Sequence, residues 1–510
     1  MAGRQAAGRR PIPIAGLWRA LGLTFASAVV WGVAHVAAGR RAVGFTLMAL
    51  LALLVAGSAT LVLAFQDTMK QLVVQDLWLN VITAAIIALA LVWALIVIRS
   101  YQVVRPPGLP TAMRIASTTL VVVLSVLICT PFVYAANATY VLRDTLSKIF
   151  PGDDHSGQKV DAANPWKNMP RVNVLLLGGD GGKDRTGIRT DSMTVASIDT
   201  KTGNTVMLSI PRGLYGMDMP PRLRSRFPNG YQGEPGPGIV GRDRGLLNEL
   251  YLYGEHHPDL EPGYKSGQRG PHLLEDVIEY LLGLKINYYV MVNLGGFKDI
   301  VNAMGGVDVH IEKPPANSGM PGLPIGGDPD KHTAPTGYLY PGKHHLNGEQ
   351  ALWYGRNRHA DDDFHRMDRQ KCLLKDIAEQ ANPQKVVTHF EKLAEAATNT
   401  ISTNIPSALL PALVKLSGTV KHGADITSLT YSPYKISGFH TDRRADATMI
   451  QVMRRVAAKA IADSANPHKP SPSPTTTAKK HKKKVKTGVT ASPTASSGSS
   501  GSVSLKNACG

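Results

Sequence analysis

The sequence contains few cysteines, and they are widely separated. Its 510 residues include only Cys129, Cys372 and Cys509. Small secreted proteins held together by disulfide bonds need a dense set of cysteines, and zinc sites need pairs at short spacing. The sequence therefore predicts neither a disulfide scaffold nor a zinc-binding motif.

Acidic residues are also scarce. Asp and Glu number 38 against 56 Lys and Arg, which gives a formal net charge of +18. Such an excess favours an anionic partner, but charge alone does not choose among nucleic acid, lipid headgroups and a polyanionic polymer.

Two common catalytic signatures are missing. The chain has no G-x-S-x-G motif and no Ser-His-Asp set, so a covalent enzyme intermediate is not indicated. Gly182-Lys183 is followed by Asp184, where a phosphate-binding P-loop needs Ser or Thr. The glycine spacing does not fit a dinucleotide-binding loop either. A nucleotide-binding loop is therefore excluded in this stretch.

Long apolar stretches dominate the first 140 residues. Val43–Phe65, Leu79–Ile98 and Ile115–Ala136 each run without a charge for about 20 residues, the length that spans a bilayer. A fourth stretch, Ala20–Gly39, is less apolar and is followed by arginines.

Arginines predict how these stretches cross the membrane, because short basic loops remain in the cytoplasm. One group precedes the first strong span: Arg4, Arg9, Arg10, Arg19, Arg40 and Arg41. A second group lies before the third span: Arg99, Arg105 and Arg114. Three spans place both groups inside and everything after residue 137 outside, whereas four would invert this bias. We therefore predict a multi-pass protein of the cell membrane, with Ala20–Gly39 interfacial or re-entrant and the globular part extracytoplasmic.

Composition divides the chain into four parts: a membrane anchor at 1–140, a linker at 141–163, a folded domain at 164–463 and a tail at 464–510. The domain alternates helical and strand patterns, with a βαβ-like run over Ile286–Glu312, which predicts an α/β fold. The tail is rich in Ser, Thr, Pro and Lys. Because this composition cannot bury a core, we predict that the tail is disordered.

The stretch from Arg171 to Arg212 contains the first candidate site. Its apolar segments predict three strands: Val172–Leu177, Asp191–Asp199 and Thr205–Ile210. Four charged residues lie at or near the strand ends: Asp180, Asp191, Arg189 and Arg212. Two carboxylates can hold a hard divalent cation, and guanidinium groups can grip phosphate oxygens. The alternative is that the glycine-rich segment 178–182 is only a turn.

A second polar cluster lies far downstream and consists of Arg356, Arg358, Arg366 and Gln370. We expect Arg356 and Arg358 on an extended segment, where alternate residues share a face, and Arg366 and Gln370 on one face of a helix. Arginines this close together repel one another unless an anion is bound. The two phosphates of a pyrophosphate would satisfy both the arginines and a metal ion.

Seven segments, which follow one another in the same order between Asn173 and Gln370, resemble the LytR-CpsA-Psr family. They are Asn173–Asp180, Arg189–Met193, Ser209–Arg212, Ile286–Asn293 with Gly296-Phe297, Gly305–Val309, Gly342–Gln350 and Arg356–Gln370. The resemblance implies an α/β fold with a mixed central sheet flanked by helices, preceded by α-helical transmembrane segments. It also implies a phosphotransferase that moves a cell-wall glycopolymer from a polyprenyl-pyrophosphate carrier to a peptidoglycan hydroxyl, with pyrophosphate hydrolysis as a side activity.

The resemblance also implies roles for individual residues. Asp180 and Asp191 resemble the family's magnesium ligands, with Mn²⁺ as the alternative ion. The pyrophosphate-binding set is matched by Arg189, Arg212, Arg356, Arg358, Arg366 and Gln370; Asp180, Asp191, Arg189 and Arg212 are the expected catalytic residues. One departure is Gly213, where the family usually has Asp. It puts in question a carboxylate that supports Arg212.

The expected partners are a polyprenyl-pyrophosphate-linked glycan, peptidoglycan and the membrane, and not nucleic acid. The polyprenyl tail needs an apolar groove, for which the candidates are Leu273–Leu282, Phe297–Met304 and Leu373–Ile377. Asp363 is a candidate general base, and helix capping or the orientation of an arginine are its alternatives. Two other functions stay open, namely a membrane-bound transcriptional attenuator and a non-catalytic module that binds wall polymer.

Overall fold

The structure is a computed structural model that describes most of the chain: residues 14–150, 164–180, 188–234, 244–315, 318–327, 333–358, 361–380, 390–421, 423–465, 502–505 and 509. The chain divides into two compact units, Met1–Leu146 and Ser147–Gly510.

The first unit is helical. Its helices are α1 Ile14–Val29, α2 Val33–Ala37, α3 Arg41–Ala64, α4 Gln66–Leu72, α5 Asp76–Val104 and α6 Thr111–Ile149. Within the described residues, α3, α5 and α6 are long and apolar enough to cross a membrane, in agreement with the three predicted stretches. Because α6 continues to Ile149, residues 141–149 of the predicted linker are helical; residues 151–163 lie outside the described part.

The less apolar stretch Ala20–Gly39 is not one continuous helix. It is divided between α1 and α2 by Gly32, whose φ of 91° is a left-handed conformation that favours glycine. A Cβ on Gly32 would lie 2.2 Å from the carbonyl oxygen of Gly44 in α3. Two glycines thus allow α2 to pack closely against α3, and neither α1 nor α2 meets the length for a span.

The described residues of the second unit form eleven strands: β1 Arg171–Gly179, β2 Thr190–Asp199, β3 Thr205–Ile210, β4 Tyr288–Asn293, β5 Val307–Ile311, β6 Leu323–Ile325, β7 Gly337–Leu339, β8 Gly342–Leu346, β9 Ile401–Thr403, β10 Ile426–Thr430 and β11 Val503–Ser504. Seven of them form one sheet in the order β11-β10-β3-β2-β1-β4-β9. The pairs β1/β4 and β3/β10 are parallel and the other pairs are antiparallel. The central sheet is therefore mixed, as predicted.

The helices described in the second unit are α7 Leu250–His256, α8 Arg269–Leu282, α9 Leu294–Ala303, α10 Gly348–Arg356, α11 Asp363–Gln380, α12 Phe390–Thr400, α13 Leu410–Lys421 and α14 Ala447–Ala465. The largest core cluster joins Leu175 of β1 and Leu208 of β3 to Leu274 of α8 and Met453 of α14. Residues on the opposite face of β1, such as Val174, pack in a second cluster with Leu416 of α13. Strands buried on both faces read as continuous apolar runs, which is why β1 and β3 were predictable from sequence.

The predicted βαβ-like run is wrong at its last strand. Although β4, α9 and β5 follow one another, β5 leaves the central sheet and pairs antiparallel with β8. Alternate residues of β5 are buried and exposed, a pattern typical of an antiparallel strand with one face on a core. A third small sheet pairs β6 with β7.

The prediction that the whole tail 464–510 is disordered is wrong for its described carboxyl-terminal residues. Strand β11 pairs antiparallel with β10, Leu505 is buried, and Cys509 forms a disulfide bond with Cys372 of α11. Averaged over the tail, the composition hides this short apolar segment. The segment that contains β11 also covers the β10 edge, whose backbone groups would otherwise lack strand partners. Residues 466–501, including the basic run at 479–484, lie outside the described part.

Candidate active site

The predicted charged residues meet at one edge of the central sheet. There β1 ends, β2 begins and β3 ends, because Gly179 is paired with Thr190 and Met193 with Ile210. Asp180, Asp191 and Arg212 therefore lie next to one another at this edge, as predicted.

A β-bulge positions Asp191. Gly178 is paired with Ser192 and Gly179 with Thr190, which leaves Asp191 as an extra residue in β2. Bulges redirect a side chain and are frequent beside active sites. In this structure the carboxylate of Asp191 forms an ion pair with Arg212.

The backbone of Arg189 fixes the other carboxylate. Asp180 is only 9% exposed, and its Oδ1 accepts the N–H of Arg189 at 2.7 Å. The N–H of Asp180 in turn donates to the Arg189 carbonyl at 2.9 Å. The Arg189 side chain is exposed. Arg189 therefore holds Asp180 with its backbone, while its guanidinium group lies at the surface of the site. The preceding turn, 181–187, lies outside the described residues.

The first turns of α11 bring a third carboxylate and a buried arginine to this edge. Arg366 is 2% exposed, and its Nη1 donates to the Asp191 carbonyl at 2.7 Å. Its Nε donates to Asp363 Oδ1 at 3.0 Å, and the same oxygen lies 3.5 Å from Arg212 Nε. Asp363 therefore bridges Arg212 and Arg366. This geometry confirms the arginine-orienting alternative that the sequence left open for Asp363.

The bridge also answers the question raised by Gly213. Arg212 has two carboxylate neighbours, Asp191 and Asp363, without an acidic residue at position 213. Nothing lies within 4 Å of the position that a Cβ on Gly213 would occupy. The departure from the family pattern leaves open space there and does not leave Arg212 unsupported.

Positive charge is concentrated around Arg366. Burial lowers the pKa of Arg366; Asp363 and Asp191 oppose this effect, while Arg212 and Arg358 lower it further. Two other guanidinium groups are thus close enough to destabilise the charged form of Arg366. An anion bound among them would relieve that repulsion.

Arg356 and Arg358 do not share an extended segment, contrary to the prediction. Arg356 is the last residue of α10, and the exposed Arg358 follows the buried Asn357. Asn357 Nδ2 donates to the Pro324 carbonyl at 2.6 Å, which turns the chain out of the helix. Gln370 of α11 donates to the Gly355 carbonyl at 3.0 Å, so the end of α10 lies against the predicted face of α11.

Sequence reasoning missed the residues that fix the end of α10 and the start of α11. Arg369 pairs with Asp361 and donates to the carbonyls of Asn357 and Tyr354. Asp362 accepts the N–H groups of Phe364 and His365, both at 3.0 Å. The three consecutive aspartates before a helix with arginines at 366 and 369 were the available signal, since carboxylates favour the positive end of a helix.

An apolar cavity of about 190 Å³ lies next to two of the predicted pyrophosphate-binding residues. Arg356 and Gln370 line it together with apolar side chains that include Leu176, Val290, Phe297, Leu373 and Leu374. Two of the three stretches proposed for a groove therefore contribute to it. The third, Leu273–Leu282, is wrong, because its apolar side chains are buried in the core with Leu175 and Leu208.

The acidic residues at this edge are chemically suited to Mg²⁺. Asp180 and Asp191 supply carboxylate oxygens, the donors that hard divalent cations prefer. Among the described residues, the only group of three metal-ligating side chains with ligand atoms within 4.8 Å of one another is Glu261, His272 and Asp276. Arg222 forms ion pairs with both Glu261 and Asp276, so we interpret that group as a salt-bridge cluster.

Comparisons with known proteins agree with the resemblance. A model of the LytR_cpsA_psr family matches residues 146–465, more than half of the chain. The polyisoprenyl-teichoic acid–peptidoglycan teichoic acid transferase TagU of Bacillus cereus (strain AH820) is 27% identical over 292 residues, which cover 56% of this chain and 77% of TagU. The regulatory protein MsrR of Staphylococcus aureus (strain COL) is 26% identical over 305 residues, 59% of this chain and 76% of MsrR.

Among solved structures, that of B. subtilis TagV is 25% identical and covers 57% of this chain and 97% of TagV, with a TM-score of 0.35. The family assignment does not depend on this likeness, because the family model by itself covers most of the second unit. The chain belongs to the LytR-CpsA-Psr family.

Proposed function

We propose that the protein transfers a cell-wall glycopolymer from a polyprenyl-pyrophosphate carrier to a hydroxyl group of peptidoglycan. The observation that carries this proposal is a cavity that is lined mainly by apolar side chains and also by the polar side chains of Arg356 and Gln370. A ligand that satisfies such a site has an apolar chain and an anionic head. Family membership and the printed function of TagU, a teichoic acid transferase, support the same chemistry.

In this proposal the arginines bind and orient the pyrophosphate. Arg366 is held by Asp363 and by the Asp191 carbonyl, so its position is set before the ligand arrives. Arg212 is held by Asp191 and Asp363. Arg189 and Arg358 are exposed and can close on the phosphates from the surface. Fixed positive groups that neutralise charge as it develops are the main source of catalysis in phosphoryl transfer.

Asp180 and Asp191 are the proposed ligands for Mg²⁺, with Mn²⁺ as the alternative. Once bound, the ion would polarise phosphate oxygens and neutralise the leaving phosphate. The residues of the chain prepare this site: the Arg189 backbone orients Asp180, and the bulge in β2 directs Asp191 towards Arg212.

The transfer itself exchanges one P–O bond for another. The oxygen of a peptidoglycan hydroxyl forms a bond to the phosphorus that carries the glycopolymer, and the bond from that phosphorus to the bridging oxygen breaks. The products are a phosphodiester and polyprenyl phosphate, and the hydroxyl proton is lost to water. Water in place of the sugar hydroxyl would give pyrophosphate hydrolysis, the expected side activity.

We also propose that the second unit is extracytoplasmic and is held by three membrane spans. The arginine distribution and the three long apolar helices support this topology. The Cys372–Cys509 disulfide gives independent support, since such bonds persist mainly in oxidising compartments outside the cytoplasm. In this arrangement the catalytic domain spans about 164–463, and the carboxyl terminus returns to it through β11.

Incubation of the purified protein with a defined polyprenyl-pyrophosphate glycan, peptidoglycan oligomers and Mg²⁺ tests the proposal. The expected product is glycan joined to peptidoglycan by a phosphodiester, with release of polyprenyl phosphate. Binding of glycan without turnover would favour the wall-binding module. A reporter fusion that places residues 160–460 in the cytoplasm would favour the transcriptional attenuator.

A further inference from the structure

An exposed aromatic residue lies at the same edge of the sheet as Arg212 and has no part in the function described so far. Tyr434 is 78% exposed, which makes it the most exposed large apolar or aromatic side chain in the described part of the chain. Its ring packs edge-on against Phe364, with centroids 5.7 Å apart and an interplanar angle of 86°. The Tyr434 ring is therefore in contact with a second aromatic ring, although most of its surface is exposed.

The sheet topology places this pair at the catalytic edge. Strand β10 is parallel to β3, with Thr430 opposite Ser209, and the N–H of Tyr431 donates to the Ser209 carbonyl at 3.0 Å. The segment that carries Tyr434 therefore leaves the sheet at the same edge as Arg212. On the other side of the pair, Phe364 directly follows Asp363, which bridges Arg212 and Arg366.

The segment that carries Tyr434 is fixed to α11. The backbone N–H of Tyr434 donates to Ser432 Oγ at 3.2 Å. The next residue, Lys435, forms an ion pair with Asp368 of α11 at 3.2 Å. These contacts fix the backbone that carries the exposed ring, and a pre-positioned aromatic side chain loses little conformational entropy when it binds a ligand.

Along the central sheet, Arg212 at the end of β3 lies between the apolar cavity and the segment that carries Tyr434. The cavity is lined by residues of β4, β1 and β2, among them Val290, Leu176 and Thr194, whereas Tyr434 lies just after β10. In the sheet order, β2 and β3 separate β1 from β10, and their ends carry Asp191 and Arg212. In phosphoryl transfer the attacking and leaving oxygens are roughly in line across the phosphorus. If the leaving polyprenyl phosphate occupies the cavity, the attacking hydroxyl approaches from the side of Tyr434.

We propose that Phe364 and Tyr434 form the acceptor site, in which the Tyr434 ring stacks on a sugar ring of the peptidoglycan strand that supplies the attacking hydroxyl. This inference rests on the proposed function and names the partner of the same site. Scattered exposed apolar residues are ordinary and need no explanation. Tyr434 differs because its ring contacts Phe364, its backbone is fixed, and it lies on the side from which the acceptor hydroxyl approaches in this proposal.

The test compares Tyr434→Ala with Tyr434→Phe in the full-length protein. With a fixed concentration of lipid-linked donor and increasing peptidoglycan oligomer, Tyr434→Ala should raise the KM for the acceptor about tenfold, the effect expected when an aromatic contact is truncated. The KM for the donor and the kcat at saturating acceptor should not change. Tyr434→Phe keeps the ring and should behave as wild type. Tyr340→Ala, which removes another exposed tyrosine (55% exposed), serves as the matched control.

A binding measurement separates this inference from the proposed function. Wild-type protein should bind an oligomer of β-1,4-linked N-acetylglucosamine without any donor, and Tyr434→Ala should bind it about tenfold more weakly. Absence of transfer by the wild type, with this binding difference intact, would refute the transferase proposal but support the sugar site. The sugar site is overturned if Tyr434→Ala leaves the acceptor KM and oligomer binding unchanged, or lowers kcat and donor affinity to the same extent as acceptor affinity.

Discussion

Asp191 forms an ion pair with Arg212 across the ends of β2 and β3. The pair depends on the bulge that makes Asp191 an extra residue in its strand. Without the bulge, a one-residue shift would turn the Asp191 side chain to the other face of the sheet. A backbone irregularity between Gly178 and Gly179 thus decides whether a carboxylate faces the arginines.

The first prediction concerns Asp191→Ala. This change removes both the partner of Arg212 and a proposed metal ligand, and leaves positive charge uncompensated. We expect the rate of glycan transfer to fall roughly a hundred- to a thousandfold, the usual cost of losing one charge-stabilising group. Transfer is measured with and without EDTA. Asp308→Ala, which removes an exposed aspartate of the same unit (74% exposed), should be neutral. Near-normal and still magnesium-dependent turnover of Asp191→Ala would show that Asp191 is not a metal ligand.

The second prediction contrasts two arginines of the proposed pyrophosphate site. Arg358→Lys and Arg366→Lys should both reduce transfer, because lysine keeps the charge but loses the guanidinium fork. Only Arg366→Lys should also reduce the free energy of unfolding, by roughly 1–3 kcal/mol, because buried Arg366 holds Asp363 and the Asp191 carbonyl. Chemical denaturation of both variants measures the difference. Equal stability of the two variants would argue against a structural role for Arg366.

Much of this site was predictable because the signal is local. The strands β1, β2 and β3 are apolar runs bounded by turn residues, so the placement of Asp180, Asp191 and Arg212 at strand ends followed from periodicity. By contrast, the residue pattern did not show which members of the two candidate clusters would be in contact. Their contact, Arg366 with Asp191, spans 175 residues, and sequence spacing carries no information about such a pair.

One error and two omissions also have physical causes. The bulge at Asp191 changes the register by one residue without any change in composition. Strand β5 follows a helix as a parallel strand would, but its alternating burial suits a two-stranded antiparallel sheet. The Cys372–Cys509 bond joins residues separated by 137 positions, and two isolated cysteines do not reveal such a pairing.

The third prediction concerns this disulfide. Cys509→Ser should lower the free energy of unfolding of the globular unit by roughly 2–4 kcal/mol, because the bond restricts a long loop in the unfolded chain. Cys129→Ser is the matched control, since Cys129 is a free cysteine in the membrane unit. Dithiothreitol should destabilise the wild type and have no further effect on Cys509→Ser. Equal unfolding midpoints for wild type and Cys509→Ser would mean that the carboxyl terminus does not stabilise the domain.

The fourth prediction is a pH dependence of stability that originates at Glu275 of α8. Burial raises the pKa of Glu275 from 4.5 to about 7; Asp276 adds to the shift, while His272, Lys285 and a hydrogen bond from Asn404 oppose it. Between these two values the folded protein binds more protons at Glu275 than the unfolded chain does. Stability should therefore fall as the pH rises from 4.5 to about 7, by an amount on the order of 1–3 kcal/mol for this group.

Glu275→Gln tests this sign directly, because glutamine does not titrate and keeps nearly the same shape. The measured quantity is the difference in free energy of unfolding between wild type and variant, determined by denaturation at pH 5 and at pH 8. Groups other than Glu275 titrate in both proteins, so their contributions cancel in the difference. The wild type should lose stability relative to Glu275→Gln as the pH rises. A difference that is constant with pH would show that the Glu275 carboxyl titrates alike in the folded and unfolded chains, and that its burial on α8 does not hold it protonated.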